Sequence, residues 1–177
     1  MRGLDTLFGI GWAVFWIGWL LAATTAKRGR TGFGPAVRVR FVIFIAVWTI
    51  VRLNVLHFSS PTHVPAWRAV GGIALWVAGI GMAVWARVVI GRNWGSPMSQ
   101  KSQPELVTSG PYRFVRNPIY VGIVVALLGT AIALNYWMLV FVAVAGAYFA
   151  YSARVEGRYL AEEFPDAYAQ YRRATKW

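Results

Sequence analysis

The sequence has no cysteine, which excludes disulfide bonds and thiolate metal sites. Histidine is scarce too: His57 and His63 stand in one short loop, away from any cluster of carboxylates, so no metal site is expected. Acidic residues number six against eighteen Lys and Arg. Internal repeats, low-complexity tracts and polar linkers are missing, and the chain reads as a single domain over residues 1–177. The Gly-x-Gly from Gly79 to Gly81 lies inside an apolar run, with no strand before it and no third glycine in register. A dinucleotide-binding turn is therefore excluded there.

Apolar residues fill the chain. They make up 58% of it, with ten tryptophans, against roughly 45–50% in an ordinary soluble domain. The net charge of +12 would suit nucleic acid, but the Lys and Arg residues sit in short loops between apolar runs. That is the positive-inside arrangement of membrane proteins. The partner it implies is a charged lipid surface, with no nucleic acid.

Leu4 to Ala26 is a first span, supplying the roughly 20 residues a bilayer requires. It is too long for a cleaved signal peptide, and its basic residues follow it instead of preceding it. A basic loop with Lys27, Arg28, Arg30, Arg38 and Arg40 leads to a second span, Phe41 to Leu56. Arg52 lies near its outer end, where a long side chain can snorkel to the interface. After a short loop from Ser59 to Pro65 comes a third span, Trp67 to Ile90, whose Gly71, Gly72, Gly79 and Gly81 permit close helix contact. Arg87 to Arg116 form a second long polar loop. Ile119 to Tyr151 predicts a helical hairpin turning near Asn135-Tyr136. Each arm is about 16 residues, or roughly 24 Å, shorter than a hydrocarbon core of about 30 Å. Arg154 to Tyr171 is charged and amphipathic. The expected fold is an all-α integral membrane protein of about five spans with a cytoplasmic C-terminal helix. Three spans fall in residues 1–90, and residues 91–177 hold a polar loop, a short hairpin and the tail. Placing the basic loops and the tail inside puts the N-terminus outside.

Between the third and fourth spans, Glu105 to Gly122 reads ELVTSGPYRFVRNPIYVG. Gly110-Pro111 predicts a turn, Asn117 an N-cap and Pro118 the first residue of a helix. On physics alone this could be a helix start held at the interface by Tyr and Arg. The stretch resembles, however, the signature of the isoprenylcysteine carboxyl methyltransferase family and its phospholipid methyltransferase relatives. Leu106-Val107-Thr108-Ser109-Gly110-Pro111-Tyr112 matches a Leu-Val-x-x-Gly-x-Tyr pattern, and Arg116-Asn117-Pro118-Ile119-Tyr120-Val121-Gly122 an Arg-(His/Asn)-Pro-x-Tyr-x-Gly pattern. A second block, Glu156 to Leu160 followed by Phe164 to Tyr168 and Tyr171, resembles the same family's tail. The resemblance covers roughly the C-terminal half.

The resemblance implies S-adenosylmethionine as methyl donor and a lipophilic or membrane-associated acceptor, its reacting group a carboxylate, amine or thiol. By position it implies that Leu106, Val107, Tyr112, Asn117, Pro118, Tyr120 and Glu156 contact the donor. Tyr112 and Tyr120 also read as belt residues, Asn117 as a cap and Glu156 as a solvated helix residue. A non-enzymatic membrane protein, such as a transporter subunit or assembly factor, remains the other reading. Methyl transfer needs alignment and exclusion of water more than a dedicated base, and no catalytic side chain stands out.

Two positions depart from the pattern. Gly157 stands where the resemblance has a second glutamate, and Ser152 where carboxyl-methylating members have an arginine that handles the substrate. Arg154 is the nearest base, about 200° round an ideal helix from that position. Ser152 and Arg154 are thus the candidate acceptor residues. The acceptor is expected to be apolar around its reacting atom and to arrive from the bilayer between the third and fourth spans. The orientation has its own test: a reporter fused after Trp177 is expected to read cytoplasm and one fused near His63 the outside. An external tail would put the site on the wrong side for a cytoplasmic donor.

Overall fold

The computed structural model describes residues 2–23, 63–94 and 105–175. The second span, Phe41 to Leu56, and the basic loop before it lie outside the described residues. Five α-helices follow in order: α1 (Arg2–Ala23), α2 (Ala66–Ile90), α3 (Pro118–Ala133), α4 (Leu139–Glu163) and α5 (Pro165–Ala174). No strand occurs among the described elements. Gly3–Ala22, Ala66–Ile90 and Tyr136–Glu163 are long and apolar enough to cross a bilayer, and α3 is a shorter apolar helix. This is an all-α integral membrane protein.

The centre of the fold is a glycine seam between α2 and α3. Gly72 and Gly79 are seven residues apart, two turns of helix, and so are Gly122 and Gly129. The helices run antiparallel, with Gly72 facing Gly129 and Gly79 facing Gly122. A Cβ on Gly79 would lie 2.4 Å from the Ala126 nitrogen and 2.5 Å from the Gly122 carbonyl oxygen. One on Gly129 would lie 2.5 Å from the Gly72 carbonyl oxygen. Backbone therefore meets backbone, the arrangement that small residues permit where lipid supplies no hydrophobic drive between helices. Gly71 and Gly81, on other faces of α2, meet nothing within 4 Å. The seam also corrects one expectation. Acceptor access between the third and fourth spans is closed, because those spans are α2 and α3.

Aromatic side chains fix α1 on this pair. The Trp76 ring lies over Gly11, where a Cβ would come within 2.4 Å of it, and Phe8 meets the same ring edge-on at 5.7 Å. Trp12 Nε1 donates to Thr130 Oγ1 at 3.1 Å. Two arginines on α2 close helix ends. Arg68 Nε donates to the Ile132 carbonyl near the end of α3 at 3.0 Å, with its guanidinium over the Tyr136 ring. Arg87 Nη2 reaches the Ala22 carbonyl at the end of α1, and its Nη1 donates to Gly91 O at 2.7 Å. Cations are favoured at helix C-termini, where carbonyls are unpaired.

The hairpin turns where expected: Asn135 Oδ1 accepts from Trp137 N at 3.4 Å, ahead of a short 3-10 turn over Tyr136–Met138. Its second arm does not stop at Tyr151. It continues as one helix to Glu163, because nothing between Tyr151 and Phe164 breaks it. The break comes at Phe164, held at φ −132° and ψ 64° before Pro165, as the clash with a following proline ring dictates.

Gly79→Ala is expected to lower thermal stability in detergent by an amount typical of overpacking, about 1–3 kcal/mol. Gly81→Ala is expected to be neutral or slightly stabilising, because alanine favours a helix over glycine by up to about 1 kcal/mol. Equal responses of the two variants in a thermal melt would contradict the seam.

Candidate functional site

Proline builds the local frame. Pro118 opens α3 as its first residue and is fully buried. Asn117 takes the N-cap position expected of it, but its side chain makes no capping bond. Asn117 Nδ2 points instead at Glu156 Oε2, 3.4 Å away. Tyr120 lies three residues on, on the same side of the helix start, and its hydroxyl donates to Glu156 Oε1 at 2.5 Å. The two sequence blocks thus converge on one carboxylate, which takes a hydroxyl and an amide from the signature.

Phe149, Ser152 and Glu156 share one face of α4 at spacings of three and four residues. The Phe149 ring stacks on Tyr120, centroids 4.7 Å apart and 18° from parallel. Ser152 is completely enclosed, and its Oγ donates to the Tyr148 carbonyl at 2.9 Å. Arg154 lies off this face and is exposed. Gly157 acquires a reason: the Tyr168 hydroxyl sits 2.7 Å from where its Cβ would be. A second glutamate there would displace the tail tyrosine.

The turn at Gly110–Arg113 carries Tyr112. Gly110 has φ +58°, and a Cβ on it would come within 2.8 Å of the Val89 side chain, so both conformation and space require glycine. Tyr112 is 6% exposed, and its carbonyl accepts from the Tyr171 hydroxyl at 2.6 Å. This bond ties α5 to the signature turn. Burial first, then the neighbouring Tyr171 and Glu156, raise the Tyr112 hydroxyl well above the ordinary phenol range. Burial, followed by Tyr168, pushes Tyr171 up to about 12. Both phenols are therefore neutral at physiological pH, and that of Tyr171 is the donor in this bond.

Leu106 and Val107 are half-buried along an open cleft of about 540 Å³, which Val89, Ile90, Asn93 and Glu105 also line. Asn93 Nδ2 donates to Glu105 Oε2 at 2.7 Å. Of the residues singled out in the sequence, Asn117, Tyr120 and Glu156 meet directly. Tyr112, Val107 and Tyr120 belong to one apolar cluster with Phe149. Sequence reasoning gave no role to Phe149, Asn93, Tyr168 or Tyr171. Helical spacing back from Glu156 points to Phe149, and the three-residue spacing of the tail tyrosines to their common buried face. Asn93 gave no signal.

The family model described as phospholipid methyltransferase matches residues 67–167. That range contains the glycine seam, the signature turn and the Glu156 face. The protein-S-isoprenylcysteine O-methyltransferase of Schizosaccharomyces pombe is 35% identical to this chain over 92 residues. The match covers 50% of this chain and 39% of that protein.

Proposed function

We propose that this chain, which belongs to the phospholipid methyltransferase family, transfers a methyl group from S-adenosylmethionine to a lipophilic acceptor at the membrane. The observation that carries this reading is the convergence of Tyr120 and Asn117 on Glu156. A carboxylate set beside a membrane helix is costly unless it is used. The residues present fit the donor. Glu156 offers a carboxylate for its ammonium group. The Tyr120–Phe149 stack offers aromatic surface beside a sulfonium cation. Leu106 and Val107 offer backbone and apolar wall on the adjoining cleft. The donor would supply a carbon already activated for in-line displacement by its positive sulfur.

The chain's own residues then have to bind, align and keep out water. Tyr120 and Asn117 fix the Glu156 carboxylate by donating to its two oxygens. Phe149 holds the Tyr120 ring flat. The buried Pro118 and the Tyr171–Tyr112 bond fix the signature turn and tail around them. Replacing Glu156 with Gln keeps the shape and removes the charge. It is expected to weaken binding of S-adenosylmethionine about ten- to 150-fold, the worth of a charge-assisted hydrogen bond of roughly 1.5–3 kcal/mol. Isothermal titration in detergent measures this, and unchanged affinity in a folded variant would return Glu156 to a structural role.

Ser152 shapes the acceptor reading. Its hydroxyl is spent on its own helix, it is completely enclosed, and Arg154 points elsewhere. An acceptor carboxylate would find no cation on this face of α4, and burying it unpaired would cost several kcal/mol. The acceptor we propose is therefore a lipophilic amine or thiol reaching the site along the lipid-exposed flank of α4. Purified protein in lipid nanodiscs with methyl-labelled donor is expected to place a base-stable label on such an acceptor. Prenylcysteine should be methylated poorly. Rapid, base-labile labelling of prenylcysteine would overturn this choice of acceptor, and absence of any donor binding would overturn the methyltransferase reading.

A further inference from the structure

The cleft beside Leu106 and Val107 contains a polar pair that the functional reading does not use. Asn93 is 5% exposed in the 3-10 turn that follows α2, and Glu105, which opens the signature stretch, lines the same cleft. A carboxylate only accepts hydrogen bonds, so the Asn93 amide is oriented with Nδ2 on Glu105 Oε2 at 2.7 Å. Its Oδ1 is thereby committed as an acceptor, and that oxygen is buried with no partner. Buried acceptors are nearly always satisfied in folded proteins. An orphan on a cleft-lining residue therefore points to a ligand that donates hydrogen bonds.

We infer that Asn93 and Glu105 form a clamp for the vicinal ribose hydroxyls of an adenosyl ligand. The inference rests on the methyl-donor reading above and gives the far end of that ligand its own residues. The pair offers acceptors side by side, which matches two adjacent hydroxyls and repels a ligand carboxylate or phosphate. Acidic residues read ribose hydroxyls in the same way in unrelated nucleotide sites. The cleft's volume, about 540 Å³, lies within the roughly 300–1,000 Å³ of small-ligand sites. Val89, Ile90, Leu106 and Val107 give it apolar walls for a flat base. Val89, Ile90 and Val107 pack against the cluster that also holds Tyr112, Tyr120 and Phe149. The cleft and the Glu156 face thus share a wall. One elongated ligand can place its ribose at Asn93–Glu105 and its amino-acid end at Glu156.

The experiment is isothermal titration of the purified full chain with S-adenosylhomocysteine and with its 2′-deoxy and 3′-deoxy analogues. The unmodified protein is expected to bind each deoxy analogue about ten-fold or more weakly than the parent compound. In Glu105→Gln the parent should bind at least about ten-fold more weakly, and the difference between parent and deoxy analogues should shrink. Asn93→Ala should shrink it in the same direction. A merely structural staple would weaken parent and analogues alike. The inference is overturned if the unmodified protein shows no deoxy penalty, a result that needs no variant to fold. It is also overturned if the penalty persists undiminished in both variants. If the unmodified protein binds S-adenosylhomocysteine with no deoxy penalty, the methyl-donor reading survives without the clamp. If it does not bind the compound at all, that reading falls as well.

Discussion

Backbone contact between α2 and α3 is the constraint on which the rest of the molecule depends. Four glycines at matched seven-residue spacing let two antiparallel helices approach until a single added methyl would strike a main-chain atom. The register follows from this, since only one pairing places Gly72 on Gly129 and Gly79 on Gly122 together. With the register set, the C-terminal end of α2 and the N-terminal end of α3 must lie at the same end of the pair. The Gly110–Arg113 turn then packs against Val89 on α2, and Pro118 starts α3 beside it. The site is therefore a consequence of the seam: shifting one helix against the other would move Tyr112 and Tyr120 relative to each other.

The helix that brings the carboxylate is held very differently. Ser152 is the one buried residue of α4 among the described residues, and the rest of that helix is half-buried or exposed. What joins it to the seam is concentrated at Phe149, Ser152 and Glu156, together with the turn after α3. Such contacts carry both structure and function. A ligand that engaged Glu156 would compete with groups that also hold α4 in place, which would couple occupancy of the proposed site to the position of that helix. That coupling would suit the proposed transfer, which has to exclude water and still admit a lipophilic acceptor.

Much of this was legible in the sequence, and the failures have physical reasons. Apolar run lengths gave the described spans, and the Asn135 turn fell where a polar residue interrupts the hairpin. The signature and tail blocks singled out Tyr120, Asn117 and Glu156 among seven candidates, and these three side chains meet in the structure. Asn117 holds the N-cap position that was expected, but its amide leaves the backbone for a carboxylate, which the sequence could not show. The extent of α4 was misread because the end of the apolar run was taken as the end of the helix, whereas charged residues continue a helix and this one runs on to Glu163 before Pro165. Access between the third and fourth spans was misread because glycine content was not matched between helices: Gly72 and Gly79 become a seam only when set against Gly122 and Gly129. Asn93 was invisible because its meaning lies in an unmet hydrogen bond, which exists only in three dimensions.

The two departures from the family pattern turn out to be linked through packing. Gly157 leaves room for the Tyr168 hydroxyl, and Tyr168 and Tyr171 form one buried face of α5. Tyr171 in turn fixes the Tyr112 carbonyl in the signature turn. Losing a second glutamate therefore lets the tail close directly over α4 through neutral phenols. Ser152, one turn before Glu156 on the same helix face, removes a long cation from the interior at the same time. Both changes take charge out of the region between α4 and the tail. With no cation at Ser152, the inner face of α4 is poorly suited to a carboxylate acceptor, in line with the acceptor proposed above. The proposed preference for a neutral group thus rests on the packing of the tail tyrosines as well as on the serine at position 152.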